Sequence, residues 1–307
     1  PLSLLAASVL TAPLAFAEQP VASGITKALA DSKVNVSFRA RYEGVQQDGI
    51  EENAAALTLK SRMTVKTGAF NGFSTGVEVD NVTALVNNYN STRNGETEYP
   101  VVADPEGTDV NQAYLKYSGD KLTTIAGRQR ILHNNQRFVG GVGWRQNEQT
   151  YDGYRFQFTP TDQFSVDYSY VYNVNRIFGP RGPKADLHGE FHLVNSAIKL
   201  HKDHKVSIFG YLLDFDTAAA SSTDTYGLAY NGKFGPVKVN ASYATQSDTG
   251  ENPNDFSADY FNFEAGSKLG AVTLLAGFES LGSDNGVGFS TQLATLHKFQ
   301  GFADKFL

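Results

Sequence analysis

Apolar and polar side chains alternate along many short stretches of this sequence. In residues 57–67, LTLKSRMTVKT, the odd positions are mostly apolar and the even positions carry Lys60, Arg62 and Lys66. Successive side chains of a β-strand point to opposite faces, so this stretch predicts a strand with one apolar and one cationic face. Either the apolar face packs on a core, or it faces lipid while the cations face water.

The same alternation recurs along the whole chain. We count about thirteen such runs, most of about 8–12 residues, which is longer than the usual strand of about 5–6 residues. A tilted strand needs about 9–11 residues to cross a bilayer. Clear examples are residues 34–43, 163–173, 237–244 and 260–266. These lengths favour strands that span a membrane.

Short turns and long polar loops alternate strictly between the runs. We place short turns at 68–72, 119–120, 159–162, 201–204, 235–236 and 269–270, and long loops at 82–110, 132–148, 174–188, 217–223, 248–256 and 282–288. Outer-membrane barrels join their strands by short periplasmic turns and longer extracellular loops. The rhythm therefore predicts an all-β fold, a transmembrane antiparallel up-and-down β-barrel, with about 13 strands in this sequence.

The first residues differ from the rest of the chain. Residues 1–17, PLSLLAASVLTAPLAFA, form an apolar run that ends in an Ala-x-Ala cleavage pattern, which predicts part of a signal peptide. Residues 18–33 are predicted to be a periplasmic lead-in, and residues 34–307 the barrel. Closed bacterial barrels of one chain have an even number of strands, so we expect further C-terminal strands to complete this one.

Composition narrows the chemistry. The 307 residues include no cysteine, and the net charge is −6. Thiol nucleophiles and cysteine-bound metals are therefore excluded, and a nucleic-acid partner is not expected. No catalytic motif for a serine hydrolase, zinc protease or P-loop protein occurs, so we predict no enzyme activity and no cofactor. His201 and His204 fall on a short turn, which favours a solvated turn over a metal site.

Acidic residues offer one alternative. Asp104, Glu106 and Asp109 lie in a predicted long loop, where they could bind Ca²⁺ or simply face solvent.

Alternation also predicts which charges line the lumen. The predicted inward cations are Arg39, Arg41, Lys60, Arg62, Lys66, Lys116, Arg128, Arg130, Arg155, Lys199, Lys238 and Lys268, and the predicted inward anions are Glu43, Glu78, Asp80, Asp167, Glu264 and Glu279. Two interpretations remain open. The charges pair across strands and brace the wall, or the surplus of cations raises the local concentration of anions.

Two stretches resemble a known family. Residues 127–156, GRQRILHNNQRFVGGVGWRQNEQTYDGYRF, and residues 295–306, TLHKFQGFADKF, are similar to the alginate-export family of Gram-negative outer-membrane porins. The resemblance implies a monomeric barrel of sixteen to eighteen strands whose arginine-rich lumen passes anionic sugars. By position in the motif, it points to Arg128, Arg130, Arg137, Arg145 and Arg155.

Together these observations predict a porin of the Gram-negative outer membrane for passive diffusion of small anionic solutes, including acidic oligosaccharides such as alginate-like uronates. Its expected partners are membrane lipid and those solutes. The candidate pore-lining and substrate-binding residues are Arg39, Arg41, Lys60, Arg62, Lys116, Arg128, Arg130, Arg137, Arg145 and Arg155. The alternatives are a general non-selective porin and a secreted, soluble, carbohydrate-active β protein.

Overall fold

The computed structural model describes residues 20–182, 184–299 and 301. The predicted signal peptide, residues 1–17, lies outside this part of the chain. A short helix, α1, spans Pro20–Ala30 and leads into the first strand. It packs on the first short turn, where the Gly68 amide donates a 2.9 Å hydrogen bond to the Ala28 carbonyl.

In the described residues, thirteen strands form one antiparallel sheet in which every strand pairs with its neighbours in sequence. This order confirms the predicted up-and-down topology. The strands are β1 Lys33–Val45, β2 Ala54–Lys66, β3 Phe73–Asn88, β4 Gly107–Ser118, β5 Leu122–Gln129, β6 Thr150–Thr161, β7 Phe164–Asn175, β8 Asp186–His201, β9 His204–Phe215, β10 Thr223–Phe234, β11 Val237–Asp248, β12 Ser257–Leu269 and β13 Val272–Leu281.

Three smaller elements complete the described chain. A small hairpin follows the sheet. Its two strands have two residues each: β14, Ser283–Asp284, and β15, Val287–Gly288. Short 3₁₀ helices lie at Ala219–Ser221 and Leu296–Lys298. No helix among the described residues is long and apolar enough to cross a membrane.

The connections alternate in length as predicted. At one end of the sheet the strands are joined by short turns, at 67–72, 119–121, 162–163, 202–203, 235–236 and 270–271. At the other end the loops are longer, at 46–53, 89–106, 130–149, 176–185, 216–222 and 249–256. We call these the short-turn end and the long-loop end.

The two faces of the sheet differ in the way that the alternation predicts. On β2, Met63 is 49% exposed, whereas the inward Thr58 and Lys60 are 1% and 6% exposed. Phe156 and Phe263 are each 43% exposed on the same outer face. The outside is therefore an apolar surface, and the packed interior lies against the inner face of the same sheet.

That interior is filled from within the chain. The loop at 130–149, which we call the inner loop, runs beside the segment 289–299, where Val139 pairs with Leu293. The Gly140 amide donates a 2.8 Å hydrogen bond to the Leu293 carbonyl. A Cβ at Gly140 would lie 2.3 Å from Oγ1 of Thr295, so only glycine fits there.

An apolar cluster joins these segments to the inner face of β6–β12. Its aromatic and aliphatic side chains are buried between the inner face of one sheet and the inward segments. In a soluble β-sandwich such side chains are buried between two sheets. Its members are Ile131, Val139, Tyr151, Val171, Val174, Phe191, Leu193, Phe209, Tyr211, Leu213, Phe215, Ala229, Ala244, Phe256, Ala258, Tyr260, Phe289 and Leu293.

Candidate functional site

The inner loop begins where β5 ends early. β5 has eight residues, whereas its neighbours β4 and β6 have twelve each. The Gln129 side chain folds back and donates from Nε2 to the Ile125 and Gly127 carbonyls, at 3.3 and 3.4 Å. The chain then leaves the sheet and turns inward, carrying Arg130, Arg137, Arg145 and Glu148 into the lumen.

Glu148 is the centre of the charge network in the lumen. Its carboxylate lies 2.8 Å from Nη2 of Arg62, 2.5 Å from Nε of Arg130 and 3.8 Å from Nζ of Lys60. Burial opposes its ionisation. The hydrogen bond from Arg130 and the charges of Arg130, Arg62 and Lys60 outweigh burial and lower the pKa of Glu148 to about 2. The ionised carboxylate therefore ties the inner loop to β2.

Wall carboxylates complete this network. Arg62 donates from Nε and Nη2 to both oxygens of Asp80, at 2.7 and 2.6 Å, which is the bidentate geometry that guanidinium groups favour. Glu78 is contacted by Arg62 at 3.5 Å and also binds Arg130. Asn111 donates to Glu78 at 2.8 Å. The three cations thus face three carboxylates.

Arg39 and Arg41 hold the tip of the inner loop against β1. Arg39 donates to the carbonyls of residues 143–145, and Arg41 donates to the Trp144 carbonyl at 2.9 Å. Arg41 also binds Glu43 and lies 3.0 Å from Asp104, a carboxylate that is 1% exposed. Asp104 accepts a second hydrogen bond from the backbone N–H of Gln146 at 2.7 Å. Two long loops therefore meet on these arginines.

The remaining arginines of the loop region are also paired. Arg137, only 1% exposed, donates to Glu279 of β13 and to Thr291, both at 2.8 Å. Arg145 lies 3.1 Å from Glu43. On β6, Nε of Arg155 donates to Asp167 at 2.9 Å, and its Nη1 donates to the Arg130 carbonyl. One loop is thus tied to β1, β2, β6 and β13.

Arg128 lies near the end of β5, opposite Asp152 of β6. Its Nε donates to Asp152 at 2.8 Å, its Nη1 donates to the Val110 carbonyl at 2.9 Å, and Asp109 lies 3.6 Å away. Asp109 pairs in register with the inward Asp80. The alternation is interrupted at Gly127, whose φ is +114°, so Arg128 stays a predicted pore-lining residue.

The lysines of the inner face form a second, separate group. They lie at the short-turn end, each within three residues of a turn or of the start of β1. We call this group the lysine belt. Its members are Lys33, Lys66, Lys116, Lys199, Lys205, Lys233, Lys238 and Lys268.

Register places several of these lysines directly opposite one another. Lys33 faces Lys66, Lys199 faces Lys205, and Lys233 faces Lys238. Like charges in such cross-strand pairs destabilise a sheet. Within residues 20–182, 184–299 and 301, no carboxylate lies within 4.0 Å of any belt lysine. The belt therefore differs from the lumen arginines described above, from Arg39 to Arg155, each of which has a carboxylate or carbonyl partner.

Several of these residues were not predicted from the sequence. Glu148 and Asp104 lie in polar loops, and nothing local indicates that they turn inward. Lys33, Lys205 and Lys233 could have been found, because each has inward parity beside a turn. Asp104, Glu106 and Asp109 do not converge, since Asp104 binds Arg41, Glu106 accepts from the Ala84 amide and Asp109 lies 3.6 Å from Arg128.

Comparison with solved structures gives the fold. OccAB2 of Acinetobacter baumannii aligns with a TM-score of 0.65 at 13% identity, over 87% of this chain and 71% of that one. OccK8 (OprE) of Pseudomonas aeruginosa aligns with 0.65 at 14% identity, over 87% and 72%. OccD3 (OpdP) of P. aeruginosa aligns with 0.58 at 14% identity, over 78% of this chain. The chain spans 55% of OccD3.

Comparison at the level of sequence gives the family. No curated protein sequence matches the chain. The family model described as Alginate export matches residues 32–275, which include the stretch 127–156 but not 295–306. That match covers most of the chain and indicates a channel protein rather than an enzyme. The chain belongs to the alginate export family of Gram-negative outer-membrane porins.

Proposed function

We propose that this outer-membrane channel passes small anionic solutes by diffusion, including acidic oligosaccharides of the uronate type, and works as a monomer. The observation that carries the proposal is the lysine belt, a set of inward cations without carboxylate partners among the described residues. The family's description as alginate export supports an acidic sugar among its solutes.

In this proposal the electrostatic potential that attracts anions comes from the lysine belt and not from the arginines. The arginines around Glu148 are balanced by Glu43, Glu78, Asp80 and Asp104, so their charges largely cancel at a distance. Among the described residues, the belt lysines form no such salt bridges; the carboxylates beside them are Asp203, in the turn next to Lys199 and Lys205, and Glu264, two positions from the register partner of Lys238. A ring of one charge sign at a pore mouth raises the local concentration of the opposite ion.

Lysine suits a site that must release its ligand. Its ammonium is a compact, hydrated charge on a flexible stem, whereas the planar guanidinium of arginine holds a carboxylate bidentately. Conduction requires binding strong enough to admit an ion and weak enough to let it leave. We therefore expect belt lysines to pass carboxylates from one to the next, while the paired arginines hold the inner loop.

A matched pair of double variants tests the belt. In Lys233→Gln/Lys238→Gln two belt charges are removed, and in Arg93→Gln/Arg181→Gln two exposed charges of the long loops are removed. The measurement is the zero-current potential of the full-length protein in a KCl gradient across a planar bilayer. We expect anion preference to fall in the belt variant, more so at low salt where screening is weak, and to stay in the loop variant.

Two results would contradict the proposal. A wild-type channel that prefers cations would reject anion transport, and equal shifts in both variants would reject the belt as the source of selectivity. The first result would leave a cation-selective porin, and the second a porin whose selectivity arises outside the belt.

A further inference from the structure

A cavity of about 350 Å³ lies at the long-loop end, on the opposite side of the inner loop from the lysine belt. A volume of this size is typical of small-molecule sites. Five segments converge on it: the end of β1, the loops 89–106 and 176–185, the inner loop and the segment 289–299. We call it the outer cavity.

Most of the lining is apolar. It includes the aliphatic side chains Val45, Val101, Val142, Ile177 and Leu296 and the rings of Phe178 and Trp144.

The floor of the outer cavity is held rigidly. The Trp144 ring stacks on His297 with centroids 3.9 Å apart and planes 9° apart, and the guanidinium carbon of Arg41 lies 4.3 Å from the Trp144 centroid. The cavity is thus preformed rather than dependent on a ligand for its shape. Preformed sites lose less free energy to ordering when they bind.

The charges of the outer cavity do not balance. Arg145 lies 3.1 Å from Glu43, which also binds Arg41. Arg176 and Lys184 flank the Phe178 ring, at 4.9 and 5.7 Å from its centroid. In the described part of the chain no carboxylate lies within 4.0 Å of either cation. Burial lowers the pKa of Arg176, and no acidic group compensates for that burial.

The amide nitrogens of the two lining glutamines already donate to groups outside the cavity. Nε2 of Gln149 donates to the Gly140 and Leu293 carbonyls, both at 3.0 Å, and Nε2 of Gln292 donates to the Ser221 carbonyl. A sugar acid brings several hydroxyl groups, each of which needs a hydrogen-bond partner when buried. Because most of its lining is apolar, the outer cavity suits a uronate less well than an acid with an apolar ring, although it has cations for a carboxylate.

We propose that the outer cavity binds a small cyclic monocarboxylate with an apolar ring. The carboxylate lies against the Arg176 guanidinium, which favours bidentate contact with such groups. The ring lies against Phe178 and the aliphatic wall. The inference deepens the proposed function, because it names a solute that the channel would take up at the long-loop end, and its passage through the pore rests on that function.

The chain contains one tryptophan, Trp144, and it lines the outer cavity, so its fluorescence reports binding directly. The probe is cyclohexanecarboxylate, which does not absorb where tryptophan is excited. Two comparison ligands are cyclohexanecarboxamide, which keeps the ring without the charge, and glucuronate, which keeps the charge with a polar ring. Each is titrated into the full-length protein in detergent.

We expect a saturable change with cyclohexanecarboxylate alone. Arg176→Gln should weaken this binding by about tenfold or more, as expected for the loss of a charge-assisted hydrogen bond. Arg176→Lys should restore part of the affinity. Arg181→Gln, in the same loop but exposed and outside the lining, should bind as the wild type does.

Three outcomes would overturn the inference: equal binding of the carboxamide, tighter binding of glucuronate, or unchanged affinity in Arg176→Gln. The zero-current potential separates this failure from that of the proposed function. Absent binding with normal anion preference would reject the outer cavity alone. Normal binding with lost anion preference would reject the proposed function alone.

Discussion

Replacing Glu148 by glutamine removes the carboxylate that Arg62, Arg130 and Lys60 share. The amide keeps the shape of the side chain but not its charge, so three cations lose a common partner. Breaking a buried ion pair from one side typically costs about 3–5 kcal/mol, because the partner charges stay buried. The inner loop should therefore undock from β2 more often.

The pKa of Glu148 gives an independent magnitude. It is lowered from 4.5 to about 2, and this difference of about 2.5 units corresponds to about 3 kcal/mol. Because the pKa of the docked state is the lower one, the stabilisation is full above about pH 4.5. It is lost as the pH falls towards 2. As the pH falls from about 4.5 towards 2, the inner loop of the wild type should therefore undock as often as it does in Glu148→Gln.

Two assays follow the loop. Trypsin cleaves after arginine, so cleavage at Arg137 and Arg145 reports undocking, and single-channel recordings report the change in lumen width. We expect about a hundredfold more of the undocked state in Glu148→Gln at pH 7, with faster cleavage and larger, noisier conductance. Glu251→Gln, an exposed loop variant, is the control. Cleavage and conductance equal to those of the wild type would refute the role of Glu148.

Three further predictions concern the wall and the inner loop. Val194→Arg, on the outer face of β8, should lower stability by about 2–4 kcal/mol in urea unfolding from lipid vesicles, whereas Asn195→Arg, on the inner face, should cost far less; equal costs would reject the assignment of faces. Gly140→Ala should cost about 1–3 kcal/mol in the same assay because its Cβ meets Thr295, while Gly143→Ala, with open space, should be neutral. Arg128→Gln should leave the zero-current potential unchanged, since its charge is balanced by Asp152 at 2.8 Å and Asp109 at 3.6 Å; a shift like that of the belt variant would show that this charge contributes to selectivity.

Period-two alternation predicted the sheet well because the two faces of this wall meet different surroundings. The apolar positions of residues 57–67 lie on the outer face and Lys60 and Arg62 on the inner one. Turn lengths could also be predicted, because each short turn must reverse the chain between adjacent strands. Strand alternation and turn length depend on residues that are close in sequence, so both can be predicted from a single sequence.

The arrangement inside the lumen could not be predicted in this way. Lys60 and Glu148 lie 88 positions apart in sequence, and no local pattern shows which of several polar loops turns inward. Arg128 shows the limit of parity, since the positive φ of Gly127 interrupts the alternation just before it. Lys205 and Lys233, by contrast, could have been predicted from the sequence. Comparing the residues beside each short turn shows that both lysines have inward parity.

The tie between the inner loop and β1, β2 and β13 has a consequence for how the protein folds. Every strand pairs with its neighbour in sequence, so the sheet can grow hairpin by hairpin at a small entropic cost for each closure. The contacts of Arg39 with residues 143–145 and of Arg137 with Glu279 span more than a hundred residues. Contacts of such separation form late. We therefore expect the pore to assemble wide and to narrow in a final, separate step.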